Sequence, residues 1–159
     1  MAETRPFTAF NFSVELTLTN DKDFLCNAAF SECDGLEMTM EPKTIREGGN
    51  NNRPIHLIGP VSYGQLSLKR GLTDCLDLFN WFTSVAQQDR GLRASGEIVL
   101  LSSEIQKEQN KSREQLRFVI TGCLPVKLKA PALNAKEGML AIEEMTIAYE
   151  TLEIKNPQT

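Results

Sequence analysis

Apolar residues recur at every second position through most of this chain. Phe12, Val14, Leu16 and Leu18 alternate with Ser13, Glu15 and Thr17, and Leu36, Met38 and Met40 alternate with Glu37, Thr39 and Glu41. The same period returns in Leu116, Phe118 and Ile120, and in Met145, Ile147 and Tyr149. Successive side chains of a strand point to opposite faces, so period two predicts strands with one apolar and one wet side. Only one segment changes period. Cys75, Leu76, Phe79, Phe82, Val85 and Ala86 recur at spacings of three and four, which predicts a helix of about four turns. Thr73 is placed to cap it, Asp74 and Asp77 suit the positive end of its dipole, and Gly91 is placed to end it. Phe79, Trp81 and Phe82 are assigned to packing this helix on the sheet.

The remaining strands follow from turn chemistry. Asn20-Asp21-Lys22-Asp23 joins the first strand to one carrying Phe24, Cys26, Ala28 and Phe30, and Asp34-Gly35 turns into the strand at residues 36–41. Arg46, Glu47, Gly48, Gly49, Asn50, Asn51, Asn52 and Arg53 form a loop, because glycine and asparagine reach positive φ at little cost. Short strands are expected at residues 55–58, 63–69, 96–102 and 126–129, and a long one at 140–154. Residues 104–114 carry almost no apolar side chain and read as a solvated hairpin tip. About nine strands with one inserted helix predict a mainly β fold, a rolled barrel or sandwich with the helix packed against it.

A length of 159 residues suits one domain, assigned to residues 10–154 with terminal extensions at 1–9 and 155–159. Seventeen basic against 21 acidic residues leave a net charge of −4, which argues against a constitutive nucleic-acid binder. No apolar run approaches the ~20 residues of a membrane helix, and the polar start lacks the apolar core of a secretion signal. Synthesis in a reducing cytoplasm is expected, where Cys26, Cys33, Cys75 and Cys123 act as free apolar thiols rather than disulfide partners.

Catalytic chemistry finds no foothold. His56 is the sole histidine, and no nucleophile motif accompanies it, so it reads as a strand residue facing solvent or a neighbour. A zinc site would have to combine it with cysteines that lack C-x-x-C spacing. Glu143 and Glu144 are adjacent and point to opposite faces, while Glu37 and Glu41 lie about 13 Å apart along one strand, too far for paired-carboxylate catalysis. Gly48-Gly49 has neither the lysine nor the helix of a phosphate loop. No cofactor, metal or catalytic residue is assigned. What stands out instead is the polar decoration of strand faces, acidic at Glu37, Glu41, Glu143, Glu144, Glu150 and Glu153 and basic at Lys127 and Lys129. Such faces suit a solvated sheet, a water-filled lumen or a charged partner.

Particular strings carry more. Phe30-Ser-Glu-Cys-Asp-Gly-Leu-Glu-Met38, Ile45-Arg-Glu-Gly-Gly-Asn-Asn51, Leu66-Ser-Leu-Lys-Arg-Gly71, Leu78-Phe-Asn-Trp81 and Ala141-Ile142-Glu143-x-Met145 follow one another in order. Together they resemble the tail-tube (inner tube) protein family of contractile phage tails and contractile injection systems, over about residues 10–154. The resemblance implies a structural subunit, similar in fold to the type VI secretion tube protein. Such subunits form hexameric rings that stack into a tube inside a sheath, start at a baseplate, and conduct DNA or protein effectors in a virion tail or injection particle. A tube-initiator paralogue at the baseplate is the nearest alternative, and a monomeric ligand-binding β-barrel is the alternative from another class. Four strands from each of six subunits would give a wall of circumference near 115 Å before tilt, and a bore of roughly 40 Å. On this reading Arg46 to Arg53 make the inter-ring contact, and Glu37, Thr39 and Glu41 are candidates to face the lumen. Insertion of the wall into a membrane is not expected, for want of lipid-length strands with aromatic girdles.

Overall fold

The computed structural model describes residues 11–19, 24–49, 52–87, 92–106, 111–136, 138 and 140–157, with backbone alone at 24, 26–28, 103–106 and 111–113. Its strands are β1 (Phe12–Leu18), β2 (Phe24–Ala28), β3 (Glu32–Asp34), β4 (Met38–Met40), β5 (Lys43–Ile45), β6 (Ile55–Leu57), β7 (Val61–Tyr63) and β8 (Gln65–Gly71). After helix α1 (Asp77–Ala86) come β9 (Ala94–Gln106), β10 (Lys111–Lys129), β11 (Ile142–Ala148) and β12 (Thr151–Lys155).

Two antiparallel layers share one long strand. β2, β1, β9, β10 and β12 form the first layer, and β3, β8, β11 and β10 form the second. β10 spans 19 residues and passes from one layer to the other at Gly122, whose φ is 65°. That positive φ favours glycine; a Cβ there would also lie 2.5 Å from the Glu150 carboxylate, an exposed side-chain end that would have to move aside. β11 and β12 follow β10 round the same corner: Leu124 pairs with Ala148, Thr121 pairs with Thr151, and the Glu150 N–H donates to the Thr121 carbonyl at 2.8 Å. Residues 29–31 carry the chain from β2 to β3 at the opposite side of the roll. The result is a rolled sandwich whose interior is filled by Val14, Leu16, Ile98, Ile120 and Cys123 from one layer and Leu66, Leu68, Met145 and Ile147 from the other.

α1 lays Leu78 and Trp81 into this interior, with Phe82 and Val85 half-buried beside them. The Trp81 Nε1–H donates to the Leu92 carbonyl at 2.8 Å, so the polar end of the ring is satisfied inside. The stripe is therefore 78, 81, 82, 85. Phe79, expected to pack, lies about 100° away from Leu78 around the helix and is 54% exposed.

Other expectations change. The long strand expected over residues 140–154 is two, β11 and β12, divided at Tyr149 and Glu150, and the strand expected over residues 36–41 is only Met38–Met40. The helix has ten residues, about three turns, and begins at Asp77, not at Thr73. The Thr73 Oγ1 accepts only from the Cys75 N–H, at 3.4 Å, while Asp77 is anchored by Arg70. The Gly91 terminator and the turn at residues 20–23 lie outside the described residues. The ladder of β9 and β10 runs on through Ser112 with Ile105 to Lys111 with Gln106, so residues 104–106 and 111–114 are strand, while the expected tip at 107–110 lies outside the described residues. Backbone hydrogen bonds build a ladder whatever the side chains, so a polar ribbon leaves no apolar period to read. Finally, residues 126–129 are not a separate strand but the end of β10.

Candidate functional site

β4 with β7 and β5 with β6 make one two-stranded ribbon that leaves the body where β3 and β8 end. Met38 faces Tyr63, Met40 faces Val61, Lys43 faces Leu57 and Ile45 faces Ile55. Its root is built at Gly35, whose φ is 97° and whose hypothetical Cβ would sit 1.9 Å from the Gln65 carbonyl oxygen. Tyr149, from the corner between β11 and β12, locks that root. Its hydroxyl accepts the Glu37 N–H at 2.9 Å and lies 2.8 Å from the Gly35 carbonyl oxygen, to which it donates. Its ring packs on Tyr63, with centroids 5.9 Å apart. Halfway along, Gly59 lies against Glu41 so closely that a Cβ would be 1.6 Å from the Glu41 carbonyl oxygen. Only glycine lets the two strands stay adjacent there, between Pro42 and Pro60.

Beyond its root the ribbon is wholly exposed. Met38, Met40, Ile45, Ile55, Leu57 and Val61 are each more than a third exposed, and Ile58 is 87% exposed. A lone two-stranded ribbon is marginal in water, and so much apolar surface marks a contact made with something else. Arg46, Glu47, Gly48, Gly49, Asn52 and Arg53 cluster at its exposed tip, Gly49 with φ 103°. Asn50 and Asn51 lie outside the described residues. Glu37 and Thr39 are exposed near the ribbon's root and Glu41 halfway along it, with Thr39 paired to Ser62 on the side away from Met38 and Met40. His56 is exposed on the ribbon, its Nδ1 3.4 Å from the Thr44 hydroxyl.

The outward face of the second layer is mostly polar, with Ile142 and Val126 exposed toward its ends. Leu66, Leu68, Met145 and Ile147 point in, so Ser67, Lys69, Glu144 and Thr146 point out. Register places Glu32, Lys69, Glu144 and Lys129 in one row, and Asp34, Ser67, Thr146 and Lys127 in the next. Glu32 holds Lys69 at 3.0 Å and, by that bond and its charge, pushes the lysine's pKa up. The Ser67 hydroxyl donates to Glu144 at 3.2 Å.

Sequence reasoning missed a buried ionic cluster beneath this face. The Arg70 guanidinium, 4% exposed, binds Glu143 through Nε and Asp77 through Nη2, the latter at 2.6 Å, and lies 5.9 Å from the centre of the Phe30 ring. It thereby ties β8, β11 and the start of α1 together. The signal was present: Arg70 and Glu143 sit at the inward parity of Leu68 and Met145 on paired strands. Two charges at core positions on neighbouring strands imply an internal ion pair.

Among the described residues no group of three His, Cys, Asp or Glu is placed to hold a metal ion, and no helix is long and apolar enough to cross a membrane. Cys33, Cys75 and Cys123 are free thiols. Burial pushes Cys33 and Cys123 up to about 12, with Asp34 and Glu150 adding to the respective shifts. A surface hollow of about 570 Å³ is lined by Pro131, Leu133, Leu140 and Ile142 among others, and no core residue reaches it.

A rolled barrel with a filled interior, which carries a run of exposed apolar residues on an arm outside the core, belongs to the class of assembly subunits rather than to carriers or catalysts. The model of the T4-like virus tail tube protein gp19 family matches residues 8–153, and the chain belongs to that family. It is a tail tube protein, from a family of structural proteins and not of enzymes. No curated protein sequence matches it. A chain in the anti-feeding prophage (AFP) baseplate is 24% identical, with 98% of this chain and 99% of that one covered and a TM-score of 0.83. A chain in the sheath–tube complex of an extracellular contractile injection system (PVC) in its extended state is 17% identical, covering 97% and 94%, with a TM-score of 0.79. The Hcp protein is 11% identical over 93% and 92%, with a TM-score of 0.53. At these identities the likeness is one of fold.

Proposed function

We propose that the chain forms hexameric rings that stack into the inner tube of a contractile phage tail or injection particle, a conduit for DNA or for protein effectors. The observation that carries this is the exposed ribbon. Its apolar residues serve no purpose in a free monomer and need a neighbouring copy to cover them. In this reading the tip, Arg46 to Arg53, reaches the next ring, and the sheath surrounds the tube from outside. The mostly polar face of the second layer, continued by Glu37, Thr39 and Glu41 along the first half of the ribbon, lines the lumen. Polar side chains keep the wall hydrated, so that cargo slides rather than sticks. Assembly begins in the cytoplasm and ends in the particle, with no insertion of the wall into a membrane.

Deletion of residues 48–52 tests the reading. The expected product is a folded ring, seen in native mass spectrometry as six chains, that no longer polymerises. Tubes in negative stain at wild-type yield would refute the role of the tip. A second reading, a tube initiator seated at the baseplate, draws support from the likeness to the AFP baseplate chain. The two separate by stoichiometry: a main tube protein is present in many rings per particle, an initiator in one or two.

A further inference from the structure

The pair β3–β8 and the ribbon beyond it are one hairpin, interrupted at its root. Asp34 faces Ser67 and Met38 faces Tyr63, so each strand advances four residues across the interruption and the register is kept. Gly35, at φ 97°, breaks the ladder there. What fills the gap is a side chain. The Tyr149 hydroxyl accepts the Glu37 N–H and donates to the Gly35 carbonyl, with the Glu37 carbonyl oxygen 3.1 Å away as an alternative acceptor. Asp34 Oδ1 accepts the Gly35 N–H at 2.7 Å, and the Glu37 carbonyl accepts the Gly64 N–H at 3.2 Å. Every backbone donor and acceptor of Gly35 and Glu37 is therefore paired, two of the four through Tyr149.

Tyr149 is itself firmly placed. It is buried, and it stands between Ala148, paired to Leu124, and Thr151, paired to Thr121, at the corner where the two layers meet. Leu36 and Tyr63 pack half-buried against the core beside it, and beyond them the ribbon touches no core residue. A glycine at the root gives an arm freedom, because it takes either sign of φ at little cost. Small angles then matter. Met38 to Ile45 spans about 23 Å of strand, so a swing of about 20° at the root moves the far end by about 8 Å. That exceeds the ~4 Å reach of an apolar contact, so an arm loose at Gly35 meets its partner surface only part of the time.

We infer that Tyr149 is a positioning residue for assembly: its hydroxyl holds the ribbon in its docking direction in the free chain, before a neighbouring copy is met. This rests on the reading of the ribbon as a contact with another copy, and adds how that contact is prepared. The apolar side chains of the ribbon make the contact; Tyr149 makes none and acts through the backbone at residues 35–37. An arm ordered in advance raises the fraction of chains able to dock at each encounter. Loss of the hydroxyl lowers the association rate by that fraction. Departure of a docked chain is unaffected, because the apolar contact that must break is the same. The opposite course, an arm that swings freely and takes its direction only from the partner, would leave both rates indifferent to the hydroxyl.

Tyr149→Phe keeps the ring and removes the hydroxyl. Growth from wild-type tube seeds, followed by light scattering at several concentrations of the full chain, gives the association rate, and dilution gives the dissociation rate. Association is expected to be about five- to ten-fold slower, the fold-change of one net hydrogen bond, with dissociation within about two-fold of wild type. Ile120→Val, in the core away from the ribbon, lowers Tm and should leave both rates as they are. Hydrogen exchange on the wild-type chain kept below its assembly threshold needs no variant, and should show the Glu37 amide protected at least about ten-fold over its unfolded rate. An unchanged association rate in folded Tyr149→Phe, an equal slowing by Ile120→Val, or a Glu37 amide that exchanges at the unfolded rate would each overturn the role of Tyr149. A wild-type chain that joins no ring or seed at any concentration, with sheath and baseplate components present, would overturn the tube reading instead.

Discussion

Replacing Arg70 by methionine removes the one cation that holds β8, β11 and α1 at a common point. The guanidinium is 4% exposed, and the carboxylates it serves are nearly as dry, at 16% for Asp77 and 12% for Glu143. Methionine fills much of the same volume, so packing is largely kept and the main loss is electrostatic. Breaking a buried pair from one side costs about 3–5 kcal/mol, because the abandoned charge keeps its desolvation penalty without its partner. Two carboxylates are abandoned here, yet each retains a little water, so about 3 kcal/mol is expected. For a chain of this size ~1 kcal/mol moves Tm by roughly 2–4 °C, which gives a fall of about 6–12 °C. Urea unfolding followed by circular dichroism, with a thermal melt in parallel, measures it. The mechanism is tested by the triple variant Arg70→Met/Asp77→Asn/Glu143→Gln, which takes away the stranded charges and should recover about half of the loss. A single variant within about 1 kcal/mol of wild type, or a triple no better than the single, would refute the reasoning.

Tyr149→Phe strands the Glu37 N–H and frees the Gly35 carbonyl at the ribbon root, at an expected cost of about 1–3 kcal/mol. Limited proteolysis should then cut within residues 38–63 several-fold faster; an unchanged cleavage rate would show that the hydroxyl does not anchor the ribbon. In the native chain at pH 8, iodoacetamide should modify exposed Cys75 and spare Cys33 and Cys123, which react only in urea; peptide mapping showing all three alkylated at one rate would contradict this. The same thiols carry a pH signature with a definite sign. Their ionisation lies near 9.0 unfolded and at about 12 folded, so stability is untouched below pH 9 and falls as pH climbs from 9 toward 12.

The alternation of residues 12–18 and the presence of one helix before residue 87 are local patterns, and each appears in the folded chain close to where the sequence places it. A period of two or of 3.6 is imposed by backbone geometry on the nearest neighbours, so it survives in the string of letters. The limits are equally physical. β3 and β5 have three residues each, too few for any period to register. The outer ladder of β9 and β10 is polar on both sides and shows no alternation to read. Phe79 and Phe82 share one residue type and one helix, and only the direction of the core separates the exposed ring from the half-buried one.

Met38 and Met40 make the division plainest. Their spacing from Glu37, Thr39 and Glu41 states that one side of that strand is apolar, and nothing in the spacing states what covers it. Among the described residues they stay about half exposed, because Gly35 turns the strand off the body and Tyr149, more than a hundred residues away in the chain, fixes it there. Sequence by itself determined which residues share a face. The tertiary structure alone decided which faces meet inside one molecule and which are left for another, because that depends on contacts between residues far apart in the chain, which no local period encodes.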